Sequence, residues 1–414
     1  MMAEARPVLS LHERDRRWER LRNLMRAHRL DCLLVGGYRG RERFECYVTD
    51  DYIEGAVIFP LAGEPTALTW TGLRVSRAWE SYRRGETPWV ADLRIGVGGG
   101  AVADVVREKG CDQCRVGVVG LDARSPTEPE GYLPAKVWND LVRALPGATL
   151  VDVSPAFAEL VLVKGEEELA LVRYAARVGE AAAQAMAEIT RPGVGEEAIY
   201  GEVMRVMYAH AADARYPGLI LQSGPHTTSW GPPRWLYRAE PPRRVQRGDL
   251  VQAEIFPCYG NQEVQVQMAV ALDPIDDTNR RCEQVARRSY EAGVKALRPG
   301  ITVADLVRAM EAPLAEYNCW AKTPLFHSLN PQCWFGRTAV GLEQLAGTEE
   351  GRIETAANHQ VIGGDLVLRP GMVFAFEPNA CIDTHRVNIG GGVIVTEDGC
   401  EELNVLPTRV YHVA

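Results

Sequence analysis

Between Arg247 and Leu272 the chain alternates polar and apolar residues in two arms separated by turn-forming residues. In the first arm Val251, Ala253 and Ile255 fall on one face and Gln252 and Glu254 on the other. In the second, Val264, Val266 and Met268 oppose Glu263, Gln265 and Gln267. A period of two belongs to a strand with one face on a core, and Pro257, Gly260 and Asn261 supply the turn chemistry for a reversal. The stretch therefore predicts a β-hairpin whose polar face carries Glu254, Gln265 and Gln267 into either a cavity or bulk water.

The rest of the pattern divides at about Leu162. Before it, an amphipathic helix from about Glu13 to His28 leads into the apolar run Cys32 to Val35. Strand and helix signals then alternate: strands at Cys46 to Val48, Gly55 to Pro60, Thr66 to Trp70, Arg115 to Val119 and Thr149 to Val153, helices at Val102 to Lys109 and Leu133 to Leu145. This predicts an N-terminal α/β domain over residues 1–162. The glycine stretch Gly96 to Gly100 precedes a helix, as a phosphate loop would, but no acidic residue follows at the spacing a dinucleotide site needs, so an ordinary glycine-rich turn is the better reading.

From Val163 the character changes. A long helical pattern runs from Glu166 to Ile189, a second from Gly195 to Ala212, then comes a loop, Gln222 to Pro233, and the hairpin. Helices at Asn279 to Leu297 and Val303 to Tyr317 follow, split by Arg298-Pro-Gly, then an irregular segment holding His327, and strands around Met372 to Glu377 and Gly392 to Thr396. Helices grouped beside antiparallel strands predict an α+β domain over residues 163–414.

Composition narrows the function classes. A chain of 414 residues with 46% hydrophobic residues can build two real cores. A formal charge of -9 argues against nucleic acid as a partner; Arg243, Arg244 and Arg247 form only a local basic cluster, assigned to a loop. The charged helical N-terminus contains no long apolar run, so neither secretion nor a membrane is expected and the protein is placed in the cytoplasm. The ten cysteines are scattered, and Cys111 and Cys114 have no second CxxC or nearby histidines to complete a zinc site. They are read as reduced, structural thiols.

Five collinear stretches, VKGEEELALVRYAARVGEA, LQSGPHTT, GDLVQAEIFPCYG, RPGMVFAFEP and GGGVIVTEDGCEELN, resemble the creatinase, prolidase and aminopeptidase P family. The resemblance implies a C-terminal pita-bread domain preceded by a smaller creatinase-type α/β domain. It also implies a homodimer in which the N-terminal domain of one chain helps close the pocket of the other. The family's peptidases hold two divalent cations with an Asp on each hairpin arm, a His and two Glu; the matching positions here are Glu254, Gln265, His327, Glu377 and Gly390. A neutral amide and a glycine at two of the five remove anionic oxygens that paired cations need, so no metal and no cofactor is expected. Creatinase is the family's metal-independent hydrolase, and the phrase AEIFPCYG looks more like it than like the peptidases. Its catalytic histidine falls on or near Gly231 here and a glutamate of its hairpin on Gln267.

The expected catalytic residues are His327, Glu377 and Glu254, with Gln265, Gln267, His226, Trp230 and Tyr52 binding substrate. Glu377 closes the apolar run Met372 to Phe376, where a buried charge is costly unless it is used or paired. His327, between a core histidine and a catalytic one, titrates near neutral pH. Trp230, Trp235 and Trp334 line a pocket or fill core, and His385 and Arg386 lie in a loop near the last strands, as easily solvated as part of the site. Tyr52 sits in the acidic segment Thr49 to Glu54, at the place where creatinase's N-terminal domain presents arginine, so a cationic or donor-rich substrate end would suit it. The expected activity is metal-independent acid-base chemistry on a small polar molecule, foremost C-N bond hydrolysis. The alternatives are a lyase or cyclase on the same fold, a metal-dependent Xaa-Pro-type peptidase, and a non-catalytic binding protein.

Overall fold

The computed structural model describes residues 6–122, 131–226, 228–322, 324–334 and 361–414. Thr227 of the expected loop and residues 335–360 of the expected irregular segment lie outside the described residues. The chain divides into two compact units, Val8–Val161 and Leu162–Ala414, with Pro7 tied to the second through the Tyr259 hydroxyl. Among the described residues no helix is long and apolar enough to cross a membrane.

The first unit is built on six strands: β1 (Cys32–Gly36), β2 (Ala56–Pro60), β3 (Thr66–Thr69), β4 (Asp92–Ile95), β5 (Arg115–Val119) and β6 (Thr149–Asp152), in the order β4-β3-β2-β1-β5-β6. β1 is buried on both faces, which is why it reads as a continuous apolar run rather than an alternation. Cys32 and Leu34 join one core, with α4 (Gly99–Glu108) and α5 (Ala135–Ala144); Leu33 and Val35 join the other, with α1 (Leu11–His28) and α6 (Ser154–Leu162). Gly99, the first residue of α4, serves packing, since a Cβ there would lie 2.3 Å from the Val137 carbonyl oxygen. Two further helices complete this unit. α3 (Gly72–Arg83) was not anticipated, while α2 (Cys46–Thr49) replaces the strand expected at Cys46 to Val48. The Trp18 indole donates to the Val48 carbonyl at 3.0 Å and all four residues of the turn are buried, so tertiary contacts override a weak local strand preference.

In the second unit α7 (Glu166–Ile189) begins where the Gly165 N–H donates to the Glu168 side chain, 2.9 Å away. α7 and α8 (Glu196–Ala209) pack on a sheet ordered β17-β10-β8-β7, from β7 (Asp213–Gly224), β8 (Leu250–Tyr259), β10 (Val266–Leu272) and β17 (Val410–Val413), with β9 (Gln262–Glu263) paired to β8. The expected hairpin is β8 to β10. Gly260 and Asn261 both take positive φ, 55° and 62°, as a tight hairpin turn requires, whereas Pro257 lies within the strand. α9 (Asp277–Ala296) and α10 (Val303–Glu316) pair, and α9 packs on the ribbon β13 (Asn379–Ile382) and β14 (His385–Asn388). A second sheet runs β11-β12-β15-β16, from β11 (Phe326–Ser328), β12 (Val373–Phe376), β15 (Gly391–Val395) and β16 (Cys400–Glu402). His327 thus lies on a strand, not in irregular chain, and His385 and Arg386 on a buried ribbon, not in a loop. The two sheets meet where the Gln267 N–H donates to the Gly390 carbonyl at 3.0 Å.

Candidate active site

Strand register gathers the polar residues. Gln267 stands opposite Glu254 across β8 and β10, and Gln265, two residues earlier, is its diagonal neighbour on the same face. The opposite face carries Val251, Ala253, Ile255, Val266 and Met268 into the core beneath α7 and α8. In the second sheet His327 pairs with Ala375, and the Glu377 N–H donates to the Leu325 carbonyl at 2.9 Å, so the His327 and Glu377 side chains are diagonal neighbours in turn. Where the sheets meet, these faces converge. Glu254, Gln265, Gln267, His327 and Glu377 are each at most 2% exposed, so the hairpin's polar face lines a buried site rather than bulk water.

One amide bridges the two acids. Gln265 Nε2 lies 3.3 Å from Glu254 Oε2 and 3.2 Å from Glu377 Oε2, and Gln267 Nε2 is 3.4 Å from the latter oxygen. Glu254 also accepts from the Trp230 indole and from Asn388 Nδ2, both at 3.0 Å, and lies 4.0 Å from the Arg386 guanidinium. Glu377 Oε1 faces His327 Nε2 at 3.5 Å. His327 Nδ1 lies 2.9 Å from the Ser328 carbonyl, which only a protonated Nδ1 can satisfy, so the neutral ring presents Nε2 as an acceptor to Glu377 and to Gln332 Nε2, 3.4 Å away.

Burial pushes the Glu254 carboxyl upward, against the opposing pull of Arg386, Trp230 and Asn388. Glu377 is pushed well above the usual carboxylate range, first by burial and then by the Glu254 charge, with Arg386 and Gln267 pulling the other way. The environments therefore separate two like groups. Glu254 has more donors around it, and Glu377 is pushed the further upward.

β14 is fixed against β8 by Gln252, whose Nε2 donates to the Arg386 carbonyl at 3.0 Å and whose Oε1 accepts from the Asn388 N–H at 2.8 Å. Arg386 and Asn388, two apart on β14, consequently point to the same side, and both line a small cavity with Ile220, Gln222, Ser229, Gln252, Ala253 and Glu254. Arg386 Nε and the amide oxygens of Gln265, Gln267 and Asn388 find no hydrogen-bond partner among the described residues. Unpartnered donors and acceptors around paired carboxylates are what a polar ligand would satisfy.

These residues do not fit a pair of divalent cations. Both oxygens of Glu254 already face N–H groups, the amide that bridges the acids offers them nitrogen, and a Cβ on Gly390 would lie 1.8 Å from the Phe376 carbonyl oxygen, leaving no place for an acidic side chain there. Among the described residues no group of three or more His, Cys, Asp or Glu is placed to hold a metal ion.

A model of metallopeptidase family M24 matches residues 170–399, more than half of the chain. The chain belongs to family M24. Creatinase of Bacillus sp. (strain B-0618) is 23% identical over 99% of this M24 chain and 94% of its own, and ectoine hydrolase of Halomonas elongata is 22% identical over 71% and 70%. The X-Pro aminopeptidase of Thermotoga maritima superposes with a TM-score of 0.72 at 16% identity, covering 96% of this chain and 99% of the other. The fold is accordingly the α+β pita-bread fold of the family, with a smaller domain before it, and the curated relatives are hydrolases by name.

Of the expected site residues, the M24 chain brings together Glu254, Gln265, Gln267, Trp230, His327 and Glu377. His226 does not join them: it is exposed and lies edge-on against His385, ring centroids 4.3 Å apart. Tyr52 belongs to the N-terminal unit, where it stacks between Arg43 at 4.2 Å and Arg74 at 5.1 Å. The segment around it is not the acidic surface expected, because Asp51 pairs with Arg77 at 2.5 Å and Glu54 with Arg74 at 3.0 Å. Trp235 donates to Glu196 and Trp334 is buried. Asn388 is absent from the expected site and Arg386 was left open between site and solvent; their i, i+2 spacing in HRVN was the available signal.

Proposed function

We propose that the protein is a metal-independent, creatinase-like hydrolase that cleaves a C-N bond of a small polar substrate. The observation that carries this reading is the Gln265 amide nitrogen set between two buried carboxyl groups; on this reading Glu377, pushed the further upward, keeps its proton and Glu254 is ionised. Glu254, held by Trp230, Asn388 and Arg386, binds and orients substrate, and Gln265 lies between the two acids. His327 Nε2 takes a proton from water as its oxygen adds to the carbon, and Glu377 passes its own proton to the leaving nitrogen as the C-N bond breaks. His327 then returns a proton to Glu377 across their 3.5 Å contact, which restores both groups.

The test uses a panel of small amides, ureas and amidines, scored by mass spectrometry in ¹⁸O-labelled water. Hydrolysis places the label in the product; elimination or cyclisation does not, and would move the assignment to a lyase or cyclase. Glu377→Gln and His327→Asn, each confirmed as folded, should lower kcat by roughly 10²- to 10⁴-fold, the usual contribution of a positioned acid or base. Wild-type kcat in both variants would remove them from the chemistry. Two metals per chain by elemental analysis would return the protein to the peptidases.

A further inference from the structure

The Trp230 side chain combines two properties that seldom occur together. Its residue is 49% exposed, yet its indole nitrogen reaches a carboxylate that is 2% exposed, at 3.0 Å. What holds the ring in place is polar rather than packed. Ser229 Oγ donates to Gln222 Oε1 at 2.6 Å, Gln222 Nε2 to the Gly231 carbonyl at 2.9 Å, and Arg386 Nη1 to the Ser229 carbonyl at 3.1 Å. Partly exposed hydrogen bonds of this kind contribute little net and open locally at small cost. Next to the tryptophan stands a pivot: Gly231 has φ 135° and a Cβ there would meet nothing within 4 Å, so the backbone can turn without collision before Pro232 and Pro233 stiffen it. Beside Glu254, a cavity lined by Ser229, the residue before the tryptophan, holds a guest of only about water size.

We propose that Trp230 is the gate of this site: a substrate reaches Glu254 only after the indole leaves the carboxylate and swings out about Gly231. The departing N–H exposes Glu254 Oε2, which a donor on the incoming molecule takes over. Closed, the gate keeps Glu254 paired while the site is otherwise unfilled. Trp230 is thus a positioning residue that acts through Glu254, whichever reaction the site performs.

The experiment measures how fast Glu254 is modified by a water-soluble carbodiimide with glycine ethyl ester, located by peptide mass spectrometry, in the full chain and in Trp230→Ala and Trp230→Phe. Rates are compared at their acid plateau, where the carboxyl is protonated in every form, so that a change in ionisation cannot pass for a change in access. The exposed Glu64 serves as internal reference. Trp230→Ala should label Glu254 about two- to tenfold faster, the factor expected for loss of one ordinary hydrogen bond to the protonated carboxyl. Trp230→Phe, which keeps the ring but not the N–H, should fall between alanine and wild type, with Glu64 unchanged throughout. Equal rates in the three forms, or no labelling of Glu254 in any, would overturn the gate. Because the readout is access and not turnover, its failure leaves the acid-base assignment standing, and the converse also holds.

Discussion

Gln265→Glu is the most incisive change, because it keeps the shape of the bridging side chain and reverses its meaning. The amide nitrogen lies 3.3 Å and 3.2 Å from oxygens of Glu254 and Glu377; a carboxylate there would put oxygen against oxygen. Two hydrogen bonds to charged or polarised groups are lost, each contributing about 1.5–3 kcal/mol. Coulomb repulsion at that separation has a ceiling of about 5 kcal/mol per pair at an effective dielectric of 20, but proton uptake by the variant caps it. A net loss of about 3–5 kcal/mol follows, or roughly 6–20 °C in Tm for a unit of this size. The loss should grow with pH, since the added carboxyl must be protonated to be tolerated: its folded-state pKa is raised, so stability is full below the ordinary range and falls as pH rises. The variant also gathers Glu254, Glu377, the new acid and His327 around one point, a hard-ligand set for one divalent cation. Scanning calorimetry at pH 8 with and without 1 mM Mn²⁺ should show the variant, and not wild type, regaining about 2.7 kcal/mol if the ion is present at a hundred times its Kd. An equal rise in wild type, or a metal-free variant as stable as wild type, would refute the bridging role assigned to Gln265.

Three further outcomes are expected. Glu377→Gln should match wild type in stability below about pH 4 and exceed it increasingly above, because Glu377 ionises in the unfolded chain first and wild type loses stability as pH rises through the raised folded-state value, by at most about 1.36 kcal/mol per pH unit. Thermal melts between pH 4 and 9 measure this, with Glu254, His327 and Arg386 as the neighbouring titratable or charged groups; parallel curves would deny Glu377 its proton. Gly390→Ala should be strongly destabilising, since the Cβ would lie 1.8 Å from the Phe376 carbonyl oxygen at φ 143°, and a urea midpoint unchanged from wild type would contradict that geometry. Light scattering should give the mass of two chains, as the likeness to creatinases leads one to expect; a monodisperse monomer at micromolar concentration would exclude a shared pocket.

The elements that were legible were those whose periodicity is long or doubled. α7 follows the predicted span from Glu166 to Ile189, and the hairpin alternation identified which face of β8 and β10 is core. β7 was invisible because Pro217 and Gly218 interrupt it, and its pairing slips between Ala214 and Leu219. β11 is three residues long, too short to show any alternation, and becomes a strand only through its pairing with β12. α3 carries Val75, Ala78, Trp79 and Tyr82 at helical spacing, so its stripe was there to be read, although the structure buries none of its residues.

The site divides along the same physical line. Glu254, Gln265, Gln267 and Glu377 could be picked out because each interrupts an apolar strand context, where an unpaired polar group is expensive; His327 came from the family resemblance alone. What could not be read was how they compensate one another. Arg386 could not be told from a surface cation because nothing local pairs with it; its buried guanidinium is paid for by Glu254, 132 positions earlier, and by the Ser229 carbonyl. Asn388 is the same case without the charge: its amide is spent on Glu254 and its backbone on Gln252. His226 shows the converse error. It shares the loop that carries Trp230 and so was placed with the acids, but four residues of chain turn it outward to His385 while the indole turns in. Sequence distance within a loop says little about which side of a strap a side chain takes, and here that choice decides whether Glu254 is covered by an imidazole that could exchange protons or by an indole that can only donate one hydrogen bond.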